Sequence, residues 1–89
     1  MQYRIEKAVT DDIDAIVRFQ QGIIDETEPD PVDTSAMRDG VAAVFADPVI
    51  GFYLTARTEN DGTVGCLLIQ REWSDWRNTW IWWVHSVYV

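Results

Sequence analysis

Thr79-Trp80-Ile81-Trp82-Trp83-Val84-His85-Ser86-Val87-Tyr88-Val89 is the stretch whose reading decides the fold. Side chains alternate along a strand, so Trp80, Trp82, Val84, Ser86 and Tyr88 share one face. Ile81, Trp83, His85, Val87 and Val89 share the other. Both faces are largely apolar, which is the pattern of a strand covered on both sides. Such a strand belongs inside a sheet, paired on both edges, yet no further strand follows it in the sequence. A long apolar edge invites pairing with another chain. The expectation is a homo-oligomer through this last strand, most simply a two-fold dimer.

Upstream, Phe52-Tyr53-Leu54-Thr55-Ala56-Arg57 and Thr63 to Trp73 form two more strands, and Asn60-Asp61-Gly62 supplies the turn chemistry of a hairpin between them. Ser74 to Asn78 breaks the pattern before the last strand. All five tryptophans lie between Trp73 and Trp83, which predicts burial of this region against something.

The first half changes period. Tyr3, Ile5 and Lys7 alternate as an early strand, and Thr10 stands where a helix N-cap belongs, with Asp11, Asp12 and Asp14 in the first turn. Ile13, Ile16, Val17, Ile23 and Ile24 give the first helix one apolar face. Glu26–Asp33 (ETEPDPVD), with two prolines and four acids, reads as a loop. A second helix follows, capped by Asp33 or Thr34, with Met37, Val41, Val44 and Phe45 as its core stripe and Asp47-Pro48 as its end. The fold class is therefore α+β, in the order β-α-α-β-β-β.

The 89 residues suffice for a single small domain spanning 1–89. A net charge of −8 repels phosphate backbones and argues against nucleic acid. No apolar run has the length of a membrane span, and the charged start MQYRIEKAV is unlike a signal peptide, so the expected compartment is the cytoplasm. A single cysteine, Cys66, allows no internal disulfide and no multi-cysteine metal site, and no metal is expected. Cys66 reads as a small buried apolar residue with no base beside it.

Three segments carry a family resemblance. Tyr3-Arg4-Ile5-Glu6-Lys7-Ala8-Val9-Thr10-Asp11-Asp12-Ile13-Asp14 is similar to the "I-R-x-A-T-x-x-D" start of many GNAT N-acetyltransferases. Gly51 to Ala56 followed by Asp61-Gly62-Thr63-Val64-Gly65 resembles the family's second and third strands around a "D-G-x-x-V-G" turn. Trp82 to Val89 resembles the fourth strand, whose end reads "I-x-x-V-Y-V" in many members. Together they span nearly the whole chain, as the β-α-α-β-β-β half of the GNAT fold, with a mixed, mostly antiparallel sheet and two helices.

The resemblance implies a cleft beyond the fourth strand that holds acetyl-CoA, with an amine attacking the thioester. The backbone of Ser86, Val87, Tyr88 and Val89 would line that cleft and bind the cosubstrate. His85, the only histidine, is the candidate general base. Tyr88 is equally readable as packing between sheet and helix. Glu26, Glu28 and Asp30 would overhang the acceptor site and bind a cationic amine, or form a solvated acidic loop. Glu72, Trp73 and Trp76 could form a cation-binding aromatic group, with ordinary packing as the plainer reading. The pyrophosphate loop "R/Q-x-x-G-x-G/A" is not found in the sequence, and Arg38-Asp39-Gly40 has the wrong spacing. The expectation is the N-terminal part of an acetyltransferase acting on a small-molecule or peptide amine, inactive as these residues alone. The alternative is a non-enzymatic half-domain that works by associating through its final strand.

Overall fold

The computed structural model describes residues 3–27, 30 and 33–88. Its elements are β1 (Arg4–Lys7), a short 3-10 turn (Thr10–Asp12), α1 (Ile13–Thr27), α2 (Thr34–Ala46), β2 (Phe52–Thr58), β3 (Gly62–Ser74) and β4 (Thr79–Tyr88). The strands form a four-stranded sheet in the order β1-β2-β3-β4, and each neighbouring pair is antiparallel. This is the α+β order read from the sequence.

The helices cover one face of the sheet. Ile16 and Val17 of α1 and Val41 and Val44 of α2 bury against Ala8, Tyr53 and Cys66, with Met37, Phe45, Phe19, Leu68 and Tyr88 packed around them. The α2 stripe is thus the one its spacing predicts. Asp33 caps α2 by accepting a hydrogen bond from the Ser35 amide at 2.9 Å, leaving Thr34 as the first helical residue.

Two local expectations are corrected. Thr10 is not the first helix's cap, because Thr10–Asp12 is a 3-10 turn in its own right. Asp12 accepts from the Val9 amide at 2.9 Å while its own amide donates to the Val9 carbonyl at 2.8 Å. The longer carboxylate reaching back satisfies a helix-start donor that Thr10 does not. Glu26 also lies in the last turn of α1 rather than in a loop. Glu26 and Thr27 stay helical, and the Thr27 hydroxyl donates to the Ile23 carbonyl.

β2 and β3 meet in register from Phe52 opposite Ile69 to Thr58 opposite Gly62, with a bulge near Val64. Gly51 precedes β2 so close to β3 that a Cβ there would run into the Ile69 carbonyl. Gly62 takes the left-handed φ of 68° that the hairpin turn requires.

Beyond Ile69, β3 pairs only with β4, so residues 70–74 and 79–83 form a two-stranded ribbon projecting past β2. The tryptophans sit here and do not enter the core. Trp73 and Trp80 are half exposed and Trp76, in the turn, is 79% exposed. Their expected cover is not supplied by the described residues, since none of the tryptophans joins the core beneath the helices. Trp73 packs edge-on to Trp80 with centroids 5.3 Å apart, which holds the ribbon together from within.

Candidate functional site

The region of interest is the end of β4. Leu68 lies opposite His85 and Cys66 opposite Tyr88, so two steps along β3 match three along β4. The extra residue falls at Ser86–Val87 and makes a β-bulge. A bulge leaves one residue outside the hydrogen-bonded ladder and bends the strand, freeing backbone groups for another partner. It also corrects the uninterrupted alternation read from the sequence. Directly opposed residues share a face, so His85 and Tyr88, expected on opposite faces, lie on the same one with Leu68 and Cys66.

That face is the helical side. The Tyr88 ring stacks on Phe19 of α1 at 4.8 Å, with an interplanar angle of 18°. It also rests against Gly22, where an added Cβ would come within 3.2 Å of the ring. The side chain of Tyr88 is thus a packing element that ties the bulge to α1. His85 is exposed, beside this anchored segment. Val87 points to the other face, where it helps to line an apolar trough of about 310 Å³ with Tyr3, Ile5, Leu54, Val64 and Leu67.

The other named residues are not brought together. Glu26 is exposed, about one turn beyond Gly22 in α1, on the helical side. Trp73 lies opposite Trp80 on the uncovered face, and the flat side of Trp80 is occupied by the Arg71 guanidinium at 5.1 Å. The Arg77 guanidinium covers Trp76 at 4.6 Å. These aromatic faces already carry the protein's own cations. Glu28 and Val89 lie outside the described residues.

Burial pushes the Cys66 thiol up to about 11, so it stays protonated and apolar at neutral pH. Burial also raises Tyr53, with Cys66 beside it adding to the effect. Neither is poised for nucleophilic chemistry. Among the described residues no cluster of metal-ligating side chains occurs, and no helix is long and apolar enough to cross a membrane.

The sequence did not reveal the buried carboxylate of Asp12, which is 3% exposed. Its Oδ1 accepts from Arg57 Nη1 at 3.1 Å and from the Thr63 hydroxyl at 3.5 Å. Nor did it reveal the seat for Tyr88, although Gly22 inside an apolar helical pattern was a usable signal of close approach.

Two solved structures share this arrangement. The chain matches the crystal structure of a possible acetyltransferase from Clostridium difficile 630 with a TM-score of 0.88 and 36% identity, over 100% of this chain and 58% of that one. It matches a predicted acetyltransferase with acetyl-CoA from Clostridium acetobutylicum with a TM-score of 0.76 and 17% identity, over 99% of this chain and 60% of that one. The second likeness shows the fold alone. No protein-family model matches the sequence, and no curated protein does. The chain spans a little under three fifths of the first neighbour's length. Its architecture is that of an acetyltransferase half-domain, and the GNAT resemblance carried by the opening, the hairpin and β4 holds in three dimensions.

Proposed function

We propose that this chain is the N-terminal part of an acetyltransferase that moves an acetyl group from acetyl-CoA to an amine, with residues 1–89 acting as one unit. The observation that carries the reading is the bulge at Ser86–Val87, held against α1 by the stacking of Tyr88 on Phe19. Backbone groups released from the ladder, on a strand fixed from one side, are suited to grip the amide-bearing arm of an acyl carrier. They can also donate where charge develops on the thioester oxygen. Ser86, Val87, Tyr88 and Val89 are the proposed cosubstrate-contacting positions. His85, exposed beside the bulge, is the proposed base that takes the proton of the attacking amine. Glu26, Glu28 and Trp73 are proposed to meet the cationic acceptor, a small-molecule or peptide amine. Glu26 and Trp73 lie on different sides of the sheet, so they would contact different parts of it. The proposed compartment is the cytoplasm.

The proposal includes inactivity of the 89 residues alone, since a row of amides for the pyrophosphate is not among their motifs. Calorimetric titration with acetyl-CoA tests it, on this chain and on a version lengthened by a segment bearing the glycine-rich loop. Binding by the lengthened version alone is the expected result. Binding by neither would remove the enzyme reading.

A second reading rests on the edge of β4. Among the described residues no strand pairs with its outer side. In this reading the half-domain is not an enzyme but associates through β4, with a second copy or another chain adding a strand there. Loss of oligomers on shortening the chain before Thr79, with no acetyl-CoA binding by any version, would favour it.

A further inference from the structure

We infer that the end of β4 is a two-register switch, in which residues 86–88 exchange between the bulged pairing and a regular one, and an acyl carrier selects the bulge. The ligand comes from the acyl-transfer reading, on which this step rests. The switch itself is built from contacts within the chain, those of Tyr88 with Phe19 and Gly22. From Thr79 opposite Ser74 to His85 opposite Leu68, β4 follows an unbroken ladder. Continued without a bulge, that ladder would set Ser86 opposite Leu67 and Val87 opposite Cys66. Directly opposed residues share a face, so Val87 would turn to the helices and Tyr88 away from them. The bulge reverses both: Tyr88 stands opposite Cys66, and Val87 lines the trough on the far face. A slip of one residue flips every side chain that it reaches. Here it reaches only residues 86–88, because the rest of the β3–β4 ladder is common to both registers.

Hydrophobic patterning does not choose between the registers. The slip exchanges Val87 and Tyr88, so either register leaves an apolar body on each face, the condition in which register is weakly specified. The regular register keeps the ladder bonds that the bulge gives up. The bulged register gains the seat of Tyr88. Its ring stacks on Phe19 at 4.8 Å, and its phenol end lies against Gly22, where an added Cβ would stand 3.3 Å from the hydroxyl oxygen. Val87 in that place has no ring to stack. An aromatic contact is thus set against a backbone hydrogen bond, and both are contributions of similar modest size. A ligand that bonds the backbone groups freed at Ser86–Val87 binds one register only and draws the population to it.

The seated ring also bears on α1. Phe19, Gly22 and Glu26 follow at i, i+3 and i+7, which is one stripe of the helix. Helical side chains lean toward the N-terminus, so the surface that Glu26 covers lies over the turn of Gly22, where the phenol end of Tyr88 sits. Selection of the bulge by the cosubstrate therefore acts on the turn that carries the proposed acceptor contact, and the two substrates are coupled through Tyr88.

Relaxation dispersion of backbone amides senses microsecond-to-millisecond exchange and tests the switch. The sample is the chain lengthened by the segment bearing the glycine-rich loop. Without ligand, Ser86, Val87, Tyr88 and the opposing Cys66 and Leu67 should show exchange, while Ile69 and Val84 should not. Saturating acetyl-CoA should quench it and leave the Tyr88 ring in nuclear Overhauser contact with Gly22. Gly22→Val crowds the seat and should weaken acetyl-CoA binding about tenfold, because apparent affinity scales with the fraction of competent state. Deleting Ser86 removes the extra residue but leaves Tyr88 opposite Cys66, so it should abolish the exchange and keep the Gly22 contact. If Gly22→Val fails to fold, this deletion carries the comparison. Exchange that persists in the deletion variant would overturn the inference. So would a ligand-free chain without exchange, or exchange unchanged by bound acetyl-CoA, and either result would leave the acyl-transfer reading standing. A lengthened chain that does not bind acetyl-CoA would remove that reading and, with it, the ligand that works the switch.

Discussion

Asp12 and Arg57, 45 residues apart in the chain, are joined by a 3.1 Å ion pair whose carboxylate is buried. Asp12 also receives the Val9 amide, and Arg57 extends to Glu6 on β1 at 3.8 Å. One carboxylate thus ties together the entry to α1, Arg57 of β2 and, through the Thr63 hydroxyl, the start of β3 beside its bulge. Asp12→Ala should cost about 2–3 kcal/mol in chemical denaturation. That is below the usual cost of breaking a fully buried pair, because the Arg57 side chain keeps 30% exposure and can rehydrate. A loss under about 0.5 kcal/mol would place the pair among ordinary surface contacts.

Gly51 is a steric requirement. A methyl group there meets the Ile69 carbonyl, which cannot rotate away as a side chain would. Gly51→Ala should destabilise by about 2 kcal/mol or more, read as a lower Tm. Gly40, with open space around its Cβ position, is the control: Gly40→Ala should gain up to about 1 kcal/mol through helix propensity.

Stability should fall as the solution is made alkaline. Cys66 titrates near 11 when folded, against about 8.5 for a free thiol. Between these values the unfolded chain has lost the proton and the folded chain keeps it, so rising pH favours unfolding. Tyr53, raised by burial, acts in the same sense at higher pH. The Cys66 contribution is about 3 kcal/mol, present below pH 8.5 and lost by about 11. Comparing denaturation of the parent and Cys66→Ala across this range isolates it, since the variant should show a shallower decline. The native thiol should also resist labelling at neutral pH until the protein opens.

Gly22→Val should dislodge the Tyr88 ring from Phe19, because even a Cβ at that position crowds it. In a lengthened, acetyl-CoA-binding version of the chain we expect about tenfold weaker binding, since the bulge loses its support. Unchanged affinity would show that the anchor matters for packing alone.

Much of this was legible because it rests on periodicity and turn chemistry. Val41 and Val44 mark α2's buried stripe, Asp47-Pro48 its end, and Asp61-Gly62 the β2–β3 turn, all without knowledge of tertiary contacts. The bulge was not legible. Ser86 and Val87 continue a plausible alternation, and only pairing with Cys66 and Leu68 reveals the extra residue. The burial of Asp12 was hidden for the same reason, since an acid in a first helical turn ordinarily faces water. Its partners, Arg57 on β2 and Thr63 on β3, lie 45 and 51 residues further along the chain. The tryptophans were expected to be buried, but all five are about half or more exposed, and the described residues do not cover them.

The central claim is that the β4 bulge presents backbone groups to an acyl carrier, and amide chemical shifts test it most directly. A nitrogen-15-labelled, lengthened chain would be titrated with acetyl-CoA and its amide spectrum assigned. The account predicts shifts concentrated at Ser86, Val87 and Tyr88, with Leu68 and Cys66 following as their ladder partners. Binding that leaves these amides unmoved while shifting others, for instance along the outer surface of α2, would contradict it.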